Sequence, residues 1–115
     1  MNVLAEQLAS KKKRFVLVVD ENMRDAFATG MLLQNFGYNA TGVKTAAEAM
    51  EFLAVAAPSL IVMEIALPDM NGSDFLAKLR RDSEYCRIPV IIQTRLQDPE
   101  SEDRCRRAGC AMYLR

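Results

Sequence analysis

Short apolar runs and helix-like segments alternate along this chain, and that alternation limits the folds it can adopt. The apolar runs occupy residues 15–19, 38–43, 60–65, 88–94 and 111–115, and helical patterns occupy residues 23–37, 45–58, 73–82 and 98–110. The third run is apolar at every position before its acid, as expected for a strand that is covered on both faces. Alternating strands and helices predict the α/β class, with a parallel sheet wrapped by helices.

The helical segments carry capping signals and apolar residues at helical spacing. Thr45 and Glu48 have capping-box spacing, Asp98 precedes a proline at the first position of the last helix, and Gly109 follows that helix. Apolar positions recur in the first helix at Met23, Phe27, Met31 and Leu32, and in the third at Phe75, Leu76 and Leu79. These signals predict amphipathic helices whose apolar sides face the sheet.

The composition is that of one ordinary globular domain. Fifteen basic and fifteen acidic residues among 115 leave no net charge, so no field draws the chain toward nucleic acid or an anionic membrane surface. No apolar run approaches the ~20 residues that a membrane span needs. Three cysteines, an odd number without a secretory signal, favour reduced thiols and a cytoplasmic location.

Acidic residues follow the first and third predicted strands. Asp20 and Glu21 come after the first strand, and Glu64 lies at the end of the third. If the first strand is central, with the second on one side and the third to fifth on the other, these acids meet where the strand order reverses. Three carboxylates so close need a cation, and oxygen ligands without His or Cys favour Mg²⁺. The alternative is that strand ends are exposed to water and acids there have no special role.

Four motifs in register make the chain resemble the receiver domain of bacterial two-component response regulators. They are the pair Asp20–Glu21, "MEIALPDMNG" at residues 63–72, "PVIIQT" at residues 89–94 and "AGCAMY" at residues 108–113. The resemblance covers residues 14–115, after an N-terminal extension at residues 1–13 that could form a short helix. It implies a flavodoxin-like, doubly wound parallel sheet of five strands in the order 2-1-3-4-5, and a role in a phosphorelay.

The resemblance also implies roles for individual residues. Glu64 stands at the phospho-acceptor position, which is aspartate in the family. Mg²⁺ would be held by four ligands, which come from Asp20, Glu21, Glu64 and the backbone carbonyl of Ala66. Thr94 and Tyr113 fall on the switch hydroxyl and the switch aromatic, which move inward on activation. The partners would be a histidine kinase or a downstream output domain. Asp69 lies in the loop well beyond the strand end, so we discount it as a displaced acceptor.

Glutamate at position 64 departs from the family pattern. Its extra methylene advances the carboxylate by about 1.5 Å, whereas in-line phosphoryl transfer needs the attacking oxygen, metal and donor closely aligned. In one reading, Glu64 imitates the phosphorylated acid and holds Thr94 and Tyr113 in an activated-like arrangement. In the other, which we favour, the site has lost its chemistry and the domain is a regulatory protein-interaction module rather than an enzyme. The rivals are a receiver that accepts phosphate on Glu64 from a histidine kinase, and a domain retained to form a homodimer.

Two further departures concern Arg95 and the end of the chain. Arg95 stands where the family usually keeps a small residue, and we expect it to fold over the pocket, pair with Glu64 and compete with metal. The alternative is that Arg95 points to solvent. The chain ends at Arg115, one residue before an expected lysine and without a fifth helix, as a fragment of a longer protein would. Part of one sheet face would then be bare, and residues 1–10 are one candidate to cover it.

Overall fold

A computed structural model describes residues 15–115 as a five-stranded parallel sheet with helices on both faces. The strands are β1 Phe15–Val19, β2 Asn39–Val43, β3 Leu60–Met63, β4 Val90–Gln93 and β5 Met112–Leu114. Their order is β2-β1-β3-β4-β5, and every pairing is parallel. The predicted flavodoxin-like class and strand order are therefore confirmed. The N-terminal extension at residues 1–13, with its predicted short helix, lies outside the described residues.

Four helices connect the strands, and a side chain caps the start of each one. They are α1 Met23–Asn35, α2 Ala46–Leu53, α3 Gly72–Arg81 and α4 Pro99–Ala108. The side-chain oxygens of the caps accept amide hydrogen bonds from the first turn, and the caps are Asn22, Thr45, Asn71 and Asp98. The predicted caps Thr45 and Asp98 are confirmed, although the Glu48 carboxylate accepts from the amide of Lys44. Within residues 15–115, no helix has the length and apolarity needed to cross a membrane.

The main hydrophobic core lies between the sheet and helices α2, α3 and α4. The central strands contribute alternate residues to it, which are Leu17, Val19, Ile61 and Met63. The centre of this core is filled by Phe75, Leu76 and Leu79 of α3, all of them buried as predicted. Ala49 and Leu53 of α2 pack beside them. Because successive strand residues point to opposite faces, only one set of strand residues reaches this core.

Helix α1 covers the opposite face of the sheet and buries little. A small second cluster forms there from Val16, Val18 and Val62, against which Ala26 and Leu33 of α1 pack. No residue of α1 is fully buried. Its predicted inward positions are instead exposed, and these are Met23, Phe27, Met31 and Leu32. The helix is confirmed but the direction of its apolar row is wrong, because small residues such as Ala26 and Gly30 face the sheet.

Arg80 ties the end of α3 to the turn that follows α4. Its guanidinium donates hydrogen bonds to the carbonyl oxygens of Gly109, Cys86 and Ile88 at 2.9 to 3.2 Å. Gly109 ends α4 with a φ of 97°, a left-handed conformation that favours glycine. This turn sets the position from which β5 starts.

Candidate functional site

The carboxyl ends of β1 and β3 bring Asp20 and Glu64 together. Val19 of β1 pairs with Met63 of β3, and the amide of Glu64 donates to the carbonyl of Val19 at 2.9 Å. The next residues of the two strands therefore leave the sheet side by side. Both carboxylates line an open cleft of about 560 Å³ at this edge. The cleft lies at the reversal of strand order, where ligands of open α/β sheets usually bind.

The Glu64 carboxylate is folded back onto its own loop. Its Oε2 atom accepts hydrogen bonds from the backbone amides of Ile65 and Ala66, the second at 3.2 Å. The loop is tightly closed, because the amide of Gly72 donates to the carbonyl of Ile65 at 2.6 Å and Ala66 forms a bridge with Asn71. A Cβ atom on Gly72 would lie only 2.8 Å from Cα of Ile65. The Glu64 side chain thus reaches back to the two backbone amides that follow it in the loop.

The four ligands expected for Mg²⁺ are not gathered in this arrangement. Glu21 is exposed and does not line the cleft, so Asp20 and Glu64 are the only two of the three expected carboxylates that meet there. Across the described residues, no group of three acidic, cysteine or histidine side chains is arranged to hold a metal ion. One oxygen of Glu64 is also occupied by backbone amides. The donor set as folded therefore does not fit the metal site that the family pattern implies.

Arg95 lies at the mouth of the cleft but contacts a different acid from the one expected. Its Nη2 atom donates to Oδ1 of Asp25 in the first turn of α1 at 3.1 Å. Among the residues that the structure describes, it forms no ion pair with Glu64, so the expected Arg95–Glu64 contact is wrong. The Arg95 side chain is 86% exposed, and an exposed pair of this kind contributes little to stability. The pair connects the segment after β4 to α1 across the opening.

The surroundings of Asp20 in the cleft shift its pKa. Partial burial raises the pKa of Asp20, and the negative charge of Glu64 acts in the same direction. The amide of Asn22, which donates to Oδ1 of Asp20 at 2.9 Å, and the charge of Arg95 act against this rise. Burial outweighs these partners, so the cleft disfavours negative charge at Asp20.

The two predicted switch residues are both buried, one directly after β4 and the other in the neighbouring strand β5. Thr94 follows β4 and lines the same cleft as Glu64, but its hydroxyl oxygen accepts from the amide of Leu96 at 3.1 Å. Tyr113 of β5 points into the main core and is 8% exposed. Its hydroxyl is buried and has no hydrogen-bond partner among the described residues. Burial raises the pKa of Tyr113, so this hydroxyl stays protonated at neutral pH.

Asp69 has a structural contact that explains its place in the loop. Its two carboxylate oxygens accept from the amides of Ala46 and Ala47, both at 2.9 Å. These amides belong to the first turn of α2, where partners for backbone N–H groups are lacking and the helix dipole favours an anion. The hydrogen bonds hold the pKa of Asp69 below its usual range. Asp69 therefore fixes the loop after β3 to α2.

Other cleft residues could not be found from sequence motifs. Gln93 and Thr29 face each other across it, with the Thr29 hydroxyl 3.3 Å from Oε1 of Gln93. Arg115 also lines the cleft and pairs with Glu102 of α4 at 3.2 Å. These contacts join residues that are not neighbours in the chain, so no local sequence pattern predicts them. The cleft is thus lined by three carboxylates and two guanidinium groups.

The family model for the response regulator receiver domain matches residues 16–115. The chain belongs to this family. This receiver domain is 30% identical over 99 residues to the polar-differentiation response regulator DivK of Brucella ovis, covering 86% of this chain and 80% of DivK. The solved signal receiver domain of a signal transduction histidine kinase from Syntrophus aciditrophicus is similar to it with a TM-score of 0.80 and 28% identity, covering 87% of this chain and 76% of that one. Chemotaxis response regulator CheY4 of Vibrio cholerae is similar with a TM-score of 0.79 and 25% identity, covering 87% and 83% of the two chains.

Membership of the family establishes the general role of the chain. It is a response regulator receiver domain of two-component signalling. Receiver domains act as signalling domains that interact with kinases and output partners, and they commonly bind Mg²⁺. The general role leaves open what this particular site does.

Proposed function

We propose that this receiver domain is a regulatory protein-interaction module whose phospho-site has lost ordinary acceptor chemistry. The observation that carries the proposal is the contact of Glu64 Oε2 with the backbone amides of Ile65 and Ala66. One of the two carboxylate oxygens is then occupied by its own loop, and the same contacts fix the direction of the other. Glu64 then keeps a carboxylate at the position where a working receiver acquires a phosphoryl group, with its additional charge and three acceptor oxygens.

The surroundings of Glu64 support the same conclusion. Phosphoryl transfer depends almost entirely on positioning and on charge stabilisation. Here the predicted metal ligand Glu21 lies outside the cleft, and Arg95 is engaged with Asp25. The longer side chain of Glu64 adds a displacement of about 1.5 Å to the attacking atom. Such a displacement is enough to lower the rate of a positioned reaction by orders of magnitude.

The switch residues support a domain with one resting shape. Tyr113 is already inward, which is the arrangement that the family resemblance associates with activation. The Thr94 hydroxyl accepts from Leu96 and not from Glu64, so direct imitation of a phosphoryl group by Glu64 is not what holds Tyr113 in place. Burial of the Tyr113 ring in the main core, beside α4, is sufficient to hold it inward. We infer that the surface formed by helix α4, Pro99–Ala108, and strand β5, Met112–Leu114, is presented to a kinase or an output domain without a phosphorylation step.

Incubation with acetyl phosphate and Mg²⁺, followed by intact-mass measurement, tests this proposal. We expect no phosphoryl adduct on the wild-type chain. Glu64→Asp is the matched variant, because aspartate is too short to reach the Ile65 and Ala66 amides in the same way and restores the family acceptor. Glu64→Gln keeps the length and the shape of the side chain and removes its charge.

The variants separate the possible outcomes. An adduct on wild type that Glu64→Gln abolishes would establish Glu64 as a working acceptor and overturn the proposal. An adduct only on Glu64→Asp would support it and would show that the rest of the pocket is intact. The amide chemical shift of Tyr113 gives a second measurement. If the wild-type shift moved on addition of acetyl phosphate and Mg²⁺, the idea of one resting shape would be wrong.

A further inference from the structure

The two strand-end carboxylates of the cleft, Asp20 and Glu64, are both already engaged by backbone amides. Receiver domains commonly bind Mg²⁺. This ion takes an almost ideal octahedron of oxygens at about 2.0–2.1 Å, in which one or two protein carboxylates are completed by water or substrate. Binding of Mg²⁺ here therefore depends on whether these two carboxylates can turn toward the ion.

Glu64 is the carboxylate that the ion would have to recover. Its Oε2 atom accepts from the amides of both Ile65 and Ala66, so binding to the metal requires the carboxylate to leave both bonds or to use only its other oxygen. The extra methylene also displaces that oxygen by about 1.5 Å relative to aspartate. Such a displacement is comparable with a whole Mg–O bond of about 2.0 Å, and Mg²⁺ tolerates little distortion of its octahedron.

The loop after β3 cannot move to compensate for this displacement. The amide of Gly72 donates to the carbonyl of Ile65 at 2.6 Å, and Ala66 forms a bridge with Asn71. Asn71 is in turn the cap of α3, because its side chain accepts from the amide of Ser73 at 2.8 Å. The amides that hold Glu64, and the Ala66 carbonyl expected as a ligand, are thus anchored to the start of a buried helix.

The segment after β1 is held as firmly as the loop after β3. Oδ1 of Asp20 accepts from the amide of Asn22 at 2.9 Å. The Asn22 side chain caps α1, since it accepts from the amides of Arg24 and Asp25 at 3.0 and 3.1 Å. Glu21 lies between these two fixed residues, is exposed and does not line the cleft. Turning Glu21 into the cleft would disturb the cap of α1.

We propose that the cleft of this receiver domain does not take up Mg²⁺, and that the contact of Glu64 with its own loop is what excludes the ion. The guanidinium groups of Arg95 and Arg115 also line the cleft, and their positive charge opposes the entry of a cation. This inference rests on the same Glu64 contact as the proposed function. It concerns metal binding, however, and is measured without any phosphoryl donor.

Isothermal titration calorimetry with MgCl₂ tests the proposal on wild type and two variants of position 64. Wild type should bind Mg²⁺ less than threefold more tightly than Glu64→Gln, because a carboxylate that contributes no ligand can lose its charge at little cost. Glu64→Asp should bind at least tenfold more tightly than wild type, because the shorter carboxylate cannot reach the Ile65 and Ala66 amides in the same way. Glu51→Asp is the matched control, since Glu51 lies in α2, is exposed and does not line the cleft. It should leave the affinity unchanged.

Thermal unfolding with and without Mg²⁺ gives a second measurement, because a ligand that binds only the folded chain raises the unfolding temperature. Mg²⁺ should raise it for Glu64→Asp and leave it unchanged for wild type. If Glu64→Asp lost its native circular dichroism, the comparison of wild type with Glu64→Gln would still decide, since neither depends on the shorter side chain.

Three outcomes would overturn the proposal. Wild type that binds Mg²⁺ at least tenfold more tightly than Glu64→Gln would make Glu64 a metal ligand. A folded Glu64→Asp variant that binds no more tightly than wild type, or a gain of equal size in Glu51→Asp, would show that the Glu64 contact does not exclude the ion. Tight Mg²⁺ binding by wild type without a phosphoryl adduct would overturn this inference alone, whereas an adduct on Glu64 would overturn the proposed function.

Discussion

On one face of the sheet, helices α2, α3 and α4 bury a continuous core, whereas α1 lies alone on the other face. Phe75 in α3 is 0% exposed, and Phe27 in α1 is 70% exposed, although both are the same residue in a helix of the same fold. The outward sides of α3 and α4 carry charges, such as the pair Arg106–Glu102 at 2.8 Å. The outward side of α1 carries large apolar side chains instead.

The difference in burial should make the two faces contribute unequally to stability. The α2–α4 face is closed to solvent by its own chain, so it should supply most of the stability. The α1 face holds only a small cluster around Val16, Val18 and Val62, and the large side chains on the outward side of α1 are exposed. The comparison therefore predicts that matched substitutions on the two faces will have different effects.

The largest difference should come from truncating the two phenylalanines. Phe75→Ala should lower the free energy of unfolding by about 3–5 kcal/mol, because it opens a cavity in a fully packed core. Phe27→Ala should lower it by less than about 1 kcal/mol, because its ring is mostly in water. Urea unfolding measures both. Equal losses would mean that α1 is buried as deeply as α3, which would contradict the difference between the two faces.

A glycine at the start of α3 should give the next largest effect. Gly72→Ala should destabilise the fold by about 1–3 kcal/mol, because its new Cβ would lie 2.8 Å from Cα of Ile65 and 3.0 Å from the carbonyl oxygen of Glu64. Both neighbours are backbone atoms of the loop that positions Glu64, so they cannot rotate away. Thermal unfolding checks the loss. A neutral result would show that this loop is looser than its hydrogen bonds indicate.

The glycine of α1 should respond in the opposite direction. Gly30→Ala should stabilise the chain by about 0.5–1 kcal/mol, because alanine is the better helix former and its Cβ would meet only Cβ of Ala40, at an ordinary 3.8 Å. The same measurement as for Gly72→Ala applies, and each variant serves as the control of the other. A loss of stability at position 30 would mean that α1 packs on β2 more tightly than described.

The smallest effects should be the opposite pH dependences of two carboxylates. The pKa of Asp69 is lowered by the Ala46 and Ala47 amides, so its contribution is present at neutral pH and is lost as the pH falls through the folded-state pKa. Asp69→Asn should therefore lower the free energy of unfolding at pH 7 and change it little at acidic pH. The pKa of Asp20 is raised, chiefly by burial, so ionised Asp20 weakens the fold at neutral pH.

Asp20→Asn should accordingly stabilise at pH 7, and its gain should vanish below about pH 4, where aspartate is protonated in the folded and unfolded chain. Stability curves of the two variants from pH 3 to pH 8, each minus wild type, should have opposite signs. Curves of the same sign would contradict the raised pKa of Asp20.

The resemblance and the strand pattern predicted much of the fold and part of the site. Apolar runs and helical periodicity predicted five strands and four helices, and the capping residues Thr45 and Asp98 were found where their local signals placed them. The meeting of Asp20 and Glu64 followed from parallel strands whose carboxyl ends share one edge. The same reasoning is wrong for Glu21. It lies one residue beyond Asp20 in the loop, is exposed and does not line the cleft.

The contacts that set the behaviour of the site were beyond the reach of sequence patterns. Arg95 pairs with Asp25, seventy positions away, and Asp69 caps a helix that starts more than twenty positions earlier. Helical spacing identified the apolar row of α1, but spacing cannot say which side of a helix meets the sheet.

The sequence by itself determined the α/β class, the helix ends and the acids at the strand ends, because these depend on residue periodicity and on neighbours within a turn. Only the tertiary structure decided that small residues of α1 face the sheet and that Glu64 turns onto its own loop. Both depend on close approach between segments that are distant in the chain or on the closure of a loop, and close packing allows only the side chains that fit the space left.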